Sequence, residues 1–191
     1  MKRNAEKGVL ILECIDHSDP GSEGRFLSHM FNLMKVKSQY VEVRTPGQML
    51  SLMDCSPYKY IHITTHGFVR TQHKKFVGWW TPKGTVRKDD LMVLEGKLTD
   101  KIIVSTACKS GKKAFCTYIV NNLRCKYYLA PERSTRFSSS IFFAHIFYHK
   151  LFVLKQSVED SYNAYNRKYK NPHCFTIYKR KKRPTKVVHA G

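Results

Sequence analysis

The sequence predicts an α/β domain of three layers, with helices on both faces of a mostly parallel central sheet. Three observations carry that expectation. Short apolar, β-branched runs alternate along the chain with segments whose apolar residues recur at helical spacing. Glycine- and proline-containing polar stretches separate them. Two of the apolar runs, Tyr60 to Thr65 and Lys101 to Thr106, lead directly into a histidine and a cysteine. In open parallel sheets, ligands bind beyond the carboxyl ends of the strands.

The elements follow in order. Gly8 to Cys14 is a continuous apolar run that reads as a buried strand. Asp16 to Gly24, with Pro20, Gly21 and Gly24, reads as a loop. Between Glu23 and Lys35 the apolar residues Phe26, Leu27, Met30, Phe31 and Met34 form one helical stripe. Gln39 to Arg44 is a second strand, and Pro46 to Met53 a short helix with proline at its start. Tyr60 to Thr64 is a third strand that ends at His66-Gly67. The polar stretch Phe68 to Leu98 follows, with a hairpin expected at Gly78-Trp79-Trp80-Thr81-Pro82 and a short helix at Lys88 to Leu94. Ile102 to Thr106 is a strand, Lys112 to Leu123 a helix and Lys126 to Ala130 a strand. Ser138 to Leu154 reads as one strongly apolar helix, Val158 to Tyr169 as another, and Phe175 to Tyr178 as a short final strand. Residues 1–178 therefore read as one domain and residues 179–191 as a basic tail.

Composition narrows the possible partners. The 191 residues carry 34 Lys and Arg against 14 Asp and Glu, a formal charge of +20. Such an excess attracts nucleic acid, an anionic membrane surface or an acidic protein. The run Lys179-Arg180-Lys181-Lys182-Arg183-Pro184-Thr185-Lys186 is either a solvated terminus or an electrostatic handle for such a partner. The opening Met1 to Lys7 is polar, and the apolar run after it is short and contains Glu13, unlike a signal peptide. No segment approaches the roughly 20 apolar residues of a membrane span. These features point to the cytoplasm. The six cysteines (14, 55, 108, 116, 125 and 174) form no CxxC pair, which argues against a structural zinc site and for mostly buried thiols.

The chemistry is concentrated at the two strand ends. Strands that lie side by side and parallel would deliver His66 and Cys108 to one sheet edge, pairing a thiol nucleophile with an imidazole. Lys109, Lys112, Lys113 and the start of the following helix would favour the thiolate. Ala107 and Gly111 are small enough for a substrate backbone to approach. His66 would protonate the leaving amine. The amides of Gly67 and Cys108 are natural oxyanion donors. Two other readings use the same residues differently. A nucleic-acid-binding or interaction module would use the charge and the aromatics Trp79, Trp80, Tyr127 and Tyr128. A phosphate-binding loop at Ser110-Gly111-Lys112-Lys113 departs from the G-x-x-x-x-G-K-[ST] pattern at Thr106 and Lys113.

The segment Thr106-Ala107-Cys108-Lys109-Ser110-Gly111, with His66-Gly67 upstream by 42 positions (108 − 66), resembles the caspase-fold cysteine peptidases. It is most similar to the bacterial CHAT proteases, relatives of separase and caspases. The strand Lys126 to Ala130, the segment Ser138 to Phe143 and the segment Gln156 to Tyr162 resemble the rest of a CHAT domain, so the likeness spans about Gly8 to Tyr178. The resemblance implies peptide-bond hydrolysis by Cys108 and His66 without metal or other cofactor. It also implies a protein substrate and a role in bacterial signalling or antiviral defence. A separate sensor or activator protein would switch the enzyme on. Thr106 stands where caspases carry glutamine. Relatives build the primary specificity pocket from the loop after the first strand and from the region after the fifth. In this chain those regions hold Asp16, Asp19 and Glu23, and Glu132. With Thr106 beside them, these acids predict a basic residue before the scissile bond.

Overall fold

The computed structural model describes residues 6–16, 18–19, 21–70, 75–169 and 175–181. Pro20, Cys174 and the part of the basic tail from Lys182 onward lie outside the described residues. The chain runs β1 (Glu6–Cys14), α1 (Glu23–Leu33), β2 (Ser38–Glu42), α2 (Pro46–Cys55) and β3 (Tyr58–Thr65). Then come β4 (Gly67–Arg70), β5 (Lys75–Thr81), β6 (Gly84–Arg87), a 3-10 turn (Asp90–Leu94) and β7 (Ile102–Ser105). It ends with α3 (Lys113–Asn121), β8 (Tyr127–Pro131), α4 (Phe137–Tyr148), α5 (Val158–Tyr169) and β9 (Phe175–Lys179). The main sheet has six strands in the order β2-β1-β3-β7-β8-β9. All neighbours in it are parallel except β9, which returns antiparallel to β8.

Alternation along the strands divides the core between the two faces of this sheet. Leu10 and Leu12 of β1, Ile61 and Ile63 of β3 and Ile103 of β7 pack with Met49 and Met53 of α2 and Phe115 and Ile119 of α3. Val9 and Ile11, Tyr60, and Ile102 and Val104 pack on the other face with Leu27 and Phe31 of α1, Phe143 and Phe147 of α4 and Tyr165 of α5. Side-chain caps start the first two helices. The Ser22 hydroxyl accepts from the Arg25 amide at 2.9 Å, and the Thr45 hydroxyl accepts from the Gln48 amide at 3.1 Å, with Pro46 in the first turn.

Two expectations from the sequence need correction. The polar stretch from Phe68 onward does hold a hairpin, β5-β6, but its turn is shifted from the expected place and the hairpin is part of something larger. The stretch forms a second, three-stranded antiparallel sheet, β4-β5-β6, in which residues 78–81 lie inside β5 and the connection falls at Pro82-Lys83. Each strand is too short to show a clear period, and the sheet is held by a long-range partner: Trp79 is fully buried in the core shared with the main sheet. The helix expected over 138–154 is also interrupted. α4 ends at Tyr148, and a wide π-helical turn follows over His149–Val153. That turn allows Phe152 to meet Phe31, Tyr60 and Tyr148. A change from i→i+4 to i→i+5 hydrogen bonding leaves no mark in apolar spacing.

Candidate active site

β3 and β7 are adjacent and parallel, with Ile63 opposite Ser105. The two strands lead into His66, one residue past the end of β3, and Cys108, three residues past the end of β7. The Thr106 amide still bonds to the Ile63 carbonyl at 3.0 Å before the chains turn away. The backbones then touch: a Cβ added to Gly67 would lie 1.9 Å from the Cys108 carbonyl oxygen and 3.2 Å from its nitrogen. Glycine is thus required at position 67 by close approach to the Cys108 backbone.

A carboxylate that the sequence did not assign to this role orients His66. Its Nε2 lies 2.8 Å from Asp19 Oδ1, with His66 46% exposed and Asp19 11% exposed. An ionised carboxylate accepts, so Nε2 donates to it; in a neutral ring held this way Nδ1 would carry the lone pair. Asp19 is itself fixed, because its other oxygen accepts from the Asp16 amide at 2.8 Å. The imidazole is flanked edge-on by Trp80 and Phe137, with ring centroids at 5.8 and 5.5 Å. The order of the sheet explains this meeting. The chain passes from β1 outward to β2 and returns to β3 on the other side of β1, so the loop after β1 opens a crevice beside the end of β3.

Cys108 is half-buried, and its sulfur lies against the backbone of Thr135, 3.3 Å from the amide nitrogen and 3.4 Å from the carbonyl oxygen. Among the described residues, the Cys108 amide donates to nothing. The turn after it is tight, with Lys109 in the left-handed region at φ 63°. Ser110 closes the turn through its amide and hydroxyl to the Ala107 carbonyl, at 3.2 and 2.8 Å. The Ser105 hydroxyl lies 3.1 Å from that of Ser110 and accepts from Trp79 Nε1 at 3.0 Å. The surroundings differ from the sequence expectation in two respects. Gly111 does not face a substrate; its α-carbon is packed against the end of β8, where a Cβ would meet the Ala130 carbonyl oxygen at 2.5 Å. α3 begins at Lys113, after an intervening turn, so Cys108 lies outside its first turn.

The acidic residues divide between two places. Asp16 and Asp19, together with Glu13, Glu42, Arg25 and Arg44, line a cleft of about 310 Å³ at the end of β1. Glu42 is paired with Arg25 at 2.7 Å and with Arg44 at 3.8 Å. Glu132 follows β8, three strands from β1 in the sheet order, a separation of about 14 Å at the usual strand spacing. It does not line the cleft and lies beside the turn after Cys108, where Lys109 donates to the Arg133 carbonyl and Gly111 to the Pro131 carbonyl. Thr106 points inward: it is 5% exposed and donates to Glu23 at 2.9 Å. Glu23 is buried as the first residue of α1.

Three of the other described thiols lie in the core. Burial raises the Cys14 pKa to about 12 and pushes those of Cys116 and Cys125 up as well. Cys55 is exposed and donates to the Ser51 carbonyl. Of the aromatics proposed to stack on bases, Trp79, Tyr127 and Tyr128 are buried, and Trp80 lies against His66. Among the described residues no cluster of three or more His, Cys, Asp or Glu is placed to hold a metal ion, and no helix is long and apolar enough to cross a membrane. The chain matches no family model and no curated protein.

Proposed function

We propose that this chain is a cysteine endopeptidase with a caspase-like three-layer αβα architecture, most like the CHAT proteases, and that it cuts a partner protein in bacterial signalling or antiviral defence. One observation carries the reading. Adjacent parallel strands lead into His66 and Cys108, the Gly67 and Cys108 backbones approach closely, and a carboxylate lies on Nε2 of the imidazole.

The reading assigns these roles. Asp19 holds the Nε2–H tautomer, so Nδ1 of His66 takes the proton from the Cys108 thiol. The sulfur attacks the carbonyl carbon of the scissile bond, and the C=O electron pair moves onto oxygen. The Cys108 amide, with that of Gly67, donates to this oxyanion. As the oxyanion collapses, the C–N bond breaks and His66 protonates the departing amine, leaving a thioester on Cys108. Water then gives a proton to His66, attacks the thioester and releases the acid and the thiol. The cleft beside Asp19 has four carboxylates against two guanidiniums, which supports a basic residue before the scissile bond. A separate sensor protein would supply activation, and the basic tail would contact an acidic surface.

The test is hydrolysis of a fluorogenic peptide panel by the full chain, alongside Cys108→Ala and His66→Ala. Cleavage that requires both residues and is fastest after Arg or Lys is the expected result. Faster cleavage after Asp or Leu would end the basic-pocket reading. If the protein cuts nothing, even with candidate activators, but binds single-stranded nucleic acid equally well with and without Cys108, the binding-module reading takes its place.

A further inference from the structure

Directly behind the dyad lies a buried polar cluster that the proposed chemistry does not use. Glu23 is 1% exposed and His62 is fully buried. One Glu23 oxygen, Oε2, accepts from the Thr64 hydroxyl at 3.0 Å and from the Thr106 hydroxyl at 2.9 Å. The other, Oε1, lies 3.1 Å from His62 Nε2, and His62 Nδ1 lies 3.1 Å from the Tyr148 hydroxyl. The cluster therefore joins α1, β3, the end of β7 and α4. Thr64 lies two residues before His66, and Thr106 lies two residues before Cys108.

The position of this carboxylate in the sheet decides what it does. Ladder pairing between β3 and β7 ends at Ile63 and Ser105, with further bonds to the Ile63 carbonyl from the Thr106 amide at 3.0 Å and, shared with Glu23, from the Thr106 hydroxyl at 3.3 Å. Beyond that point, regular strand pairing no longer sets the separation of the two chains. A single oxygen of Glu23 then takes one hydroxyl from each chain, bridging the gap where the strands part. A buried carboxylate is a costly way to fill space, and well-packed apolar side chains would serve stability as well. Its distinctive contribution is a fixed geometry between two groups, and misplacement by about 1 Å at a reacting pair costs roughly a hundredfold in rate.

We propose that Glu23 is a positioning residue: by clamping Thr64 to Thr106 it sets the alignment of His66 with Cys108. The clamp rests on the peptidase reading, and its test separates the two. Thr64→Val with Thr106→Val removes both donors while keeping side-chain shape. Glu23→Gln keeps an acceptor oxygen for both hydroxyls, and His62 can accept from the new amide in its other tautomer. Glu23→Leu keeps neither.

The readouts are the rate of Cys108 alkylation by iodoacetamide as a function of pH, in the folded full chain, and kcat and KM on a cleaved peptide. The double valine variant is expected to alkylate Cys108 at neutral pH roughly tenfold or more slowly. Its kcat should fall with KM little changed, and Glu23→Gln should recover most of what Glu23→Leu loses. Should the double variant not fold, Thr106→Val alone carries the same expectation. A wild-type alkylation profile and kcat in the valine variants overturn the clamp, whatever happens to their melting temperature. Equal impairment of Glu23→Gln and Glu23→Leu overturns it too. If His66→Ala leaves Cys108 alkylation unchanged in the otherwise wild-type chain, the dyad falls and the clamp with it. If His66→Ala slows alkylation and the valine variants do not, the dyad stands and the clamp alone fails.

Discussion

Asp19 stands in two roles at once, because it holds the His66 ring and lines the cleft at the end of β1. The two roles predict different kinetics. Asp19→Asn keeps an acceptor for the Nε2 proton but removes the charge that stabilises an imidazolium. It should lower kcat on the order of a hundredfold for every cleaved peptide. Asp16→Asn touches the cleft and not the imidazole, so it should raise KM for peptides with Arg before the cut and leave Leu peptides alone. Equal effects of both variants on all peptides would refute this division. The core thiols allow a separate test. Burial lifts Cys14 from 9.0 to about 12, so the unfolded chain gives up that proton first as pH rises. The stability tied to this thiol is complete below pH 9 and drains away between pH 9 and about 12. Urea midpoints measured across that window should fall, and less steeply for Cys14→Ala.

At the scale of the element, the small β4-β5-β6 sheet acts as a brace for the turn that carries Cys108. Trp79 of β5 reaches the Ser105 hydroxyl at the end of β7, and Ser105 in turn meets Ser110. Trp79→Phe keeps the ring packing against Phe115 but removes the donor, and should cost roughly 1–3 kcal/mol in chemical denaturation. A cost within experimental error would mean that the sheet is braced by packing alone. The sequence betrayed little of this brace. The main strands were readable because long apolar runs such as Val9 to Leu12 and Tyr60 to Ile63 are buried on both faces. The ends of β3 and β7 were readable because a histidine and a cysteine, each with a glycine nearby, follow them. The strands of the small sheet gain their stability from contacts remote in sequence. Asp19 was legible as a loop acid, but not as the partner of a histidine 47 positions away (66 − 19), because that contact comes from the crossover of β2 around β1. Glu23 looked like a helix-start residue for the same reason: its partners lie on β3, after β7 and on α4.

Across the whole molecule, charge works against the local chemistry of the cleft. The chain carries +20, yet the cleft beside His66 is acid-rich. A small basic peptide therefore meets long-range repulsion and short-range attraction. Salt separates the two, because the Debye length shrinks from about 30 Å at 0.01 M to about 8 Å at 0.15 M. Repulsion from distant lysines and arginines is screened over that range, whereas a contact made inside the cleft is shorter than the screening length and survives. For a short Arg-containing peptide with no acids, kcat/KM should rise as salt is raised from about 0.01 to about 0.15 M. For the same peptide flanked by Asp and Glu, the distant field attracts and kcat/KM should fall. The contrast should lie mainly in kcat/KM, because steering acts on encounter and not on the bound complex. Parallel salt curves for the two peptides would mean that the net charge of the molecule has no part in substrate capture. The excess positive charge would then serve some other acidic partner, leaving the cleft alone to select what reaches Cys108.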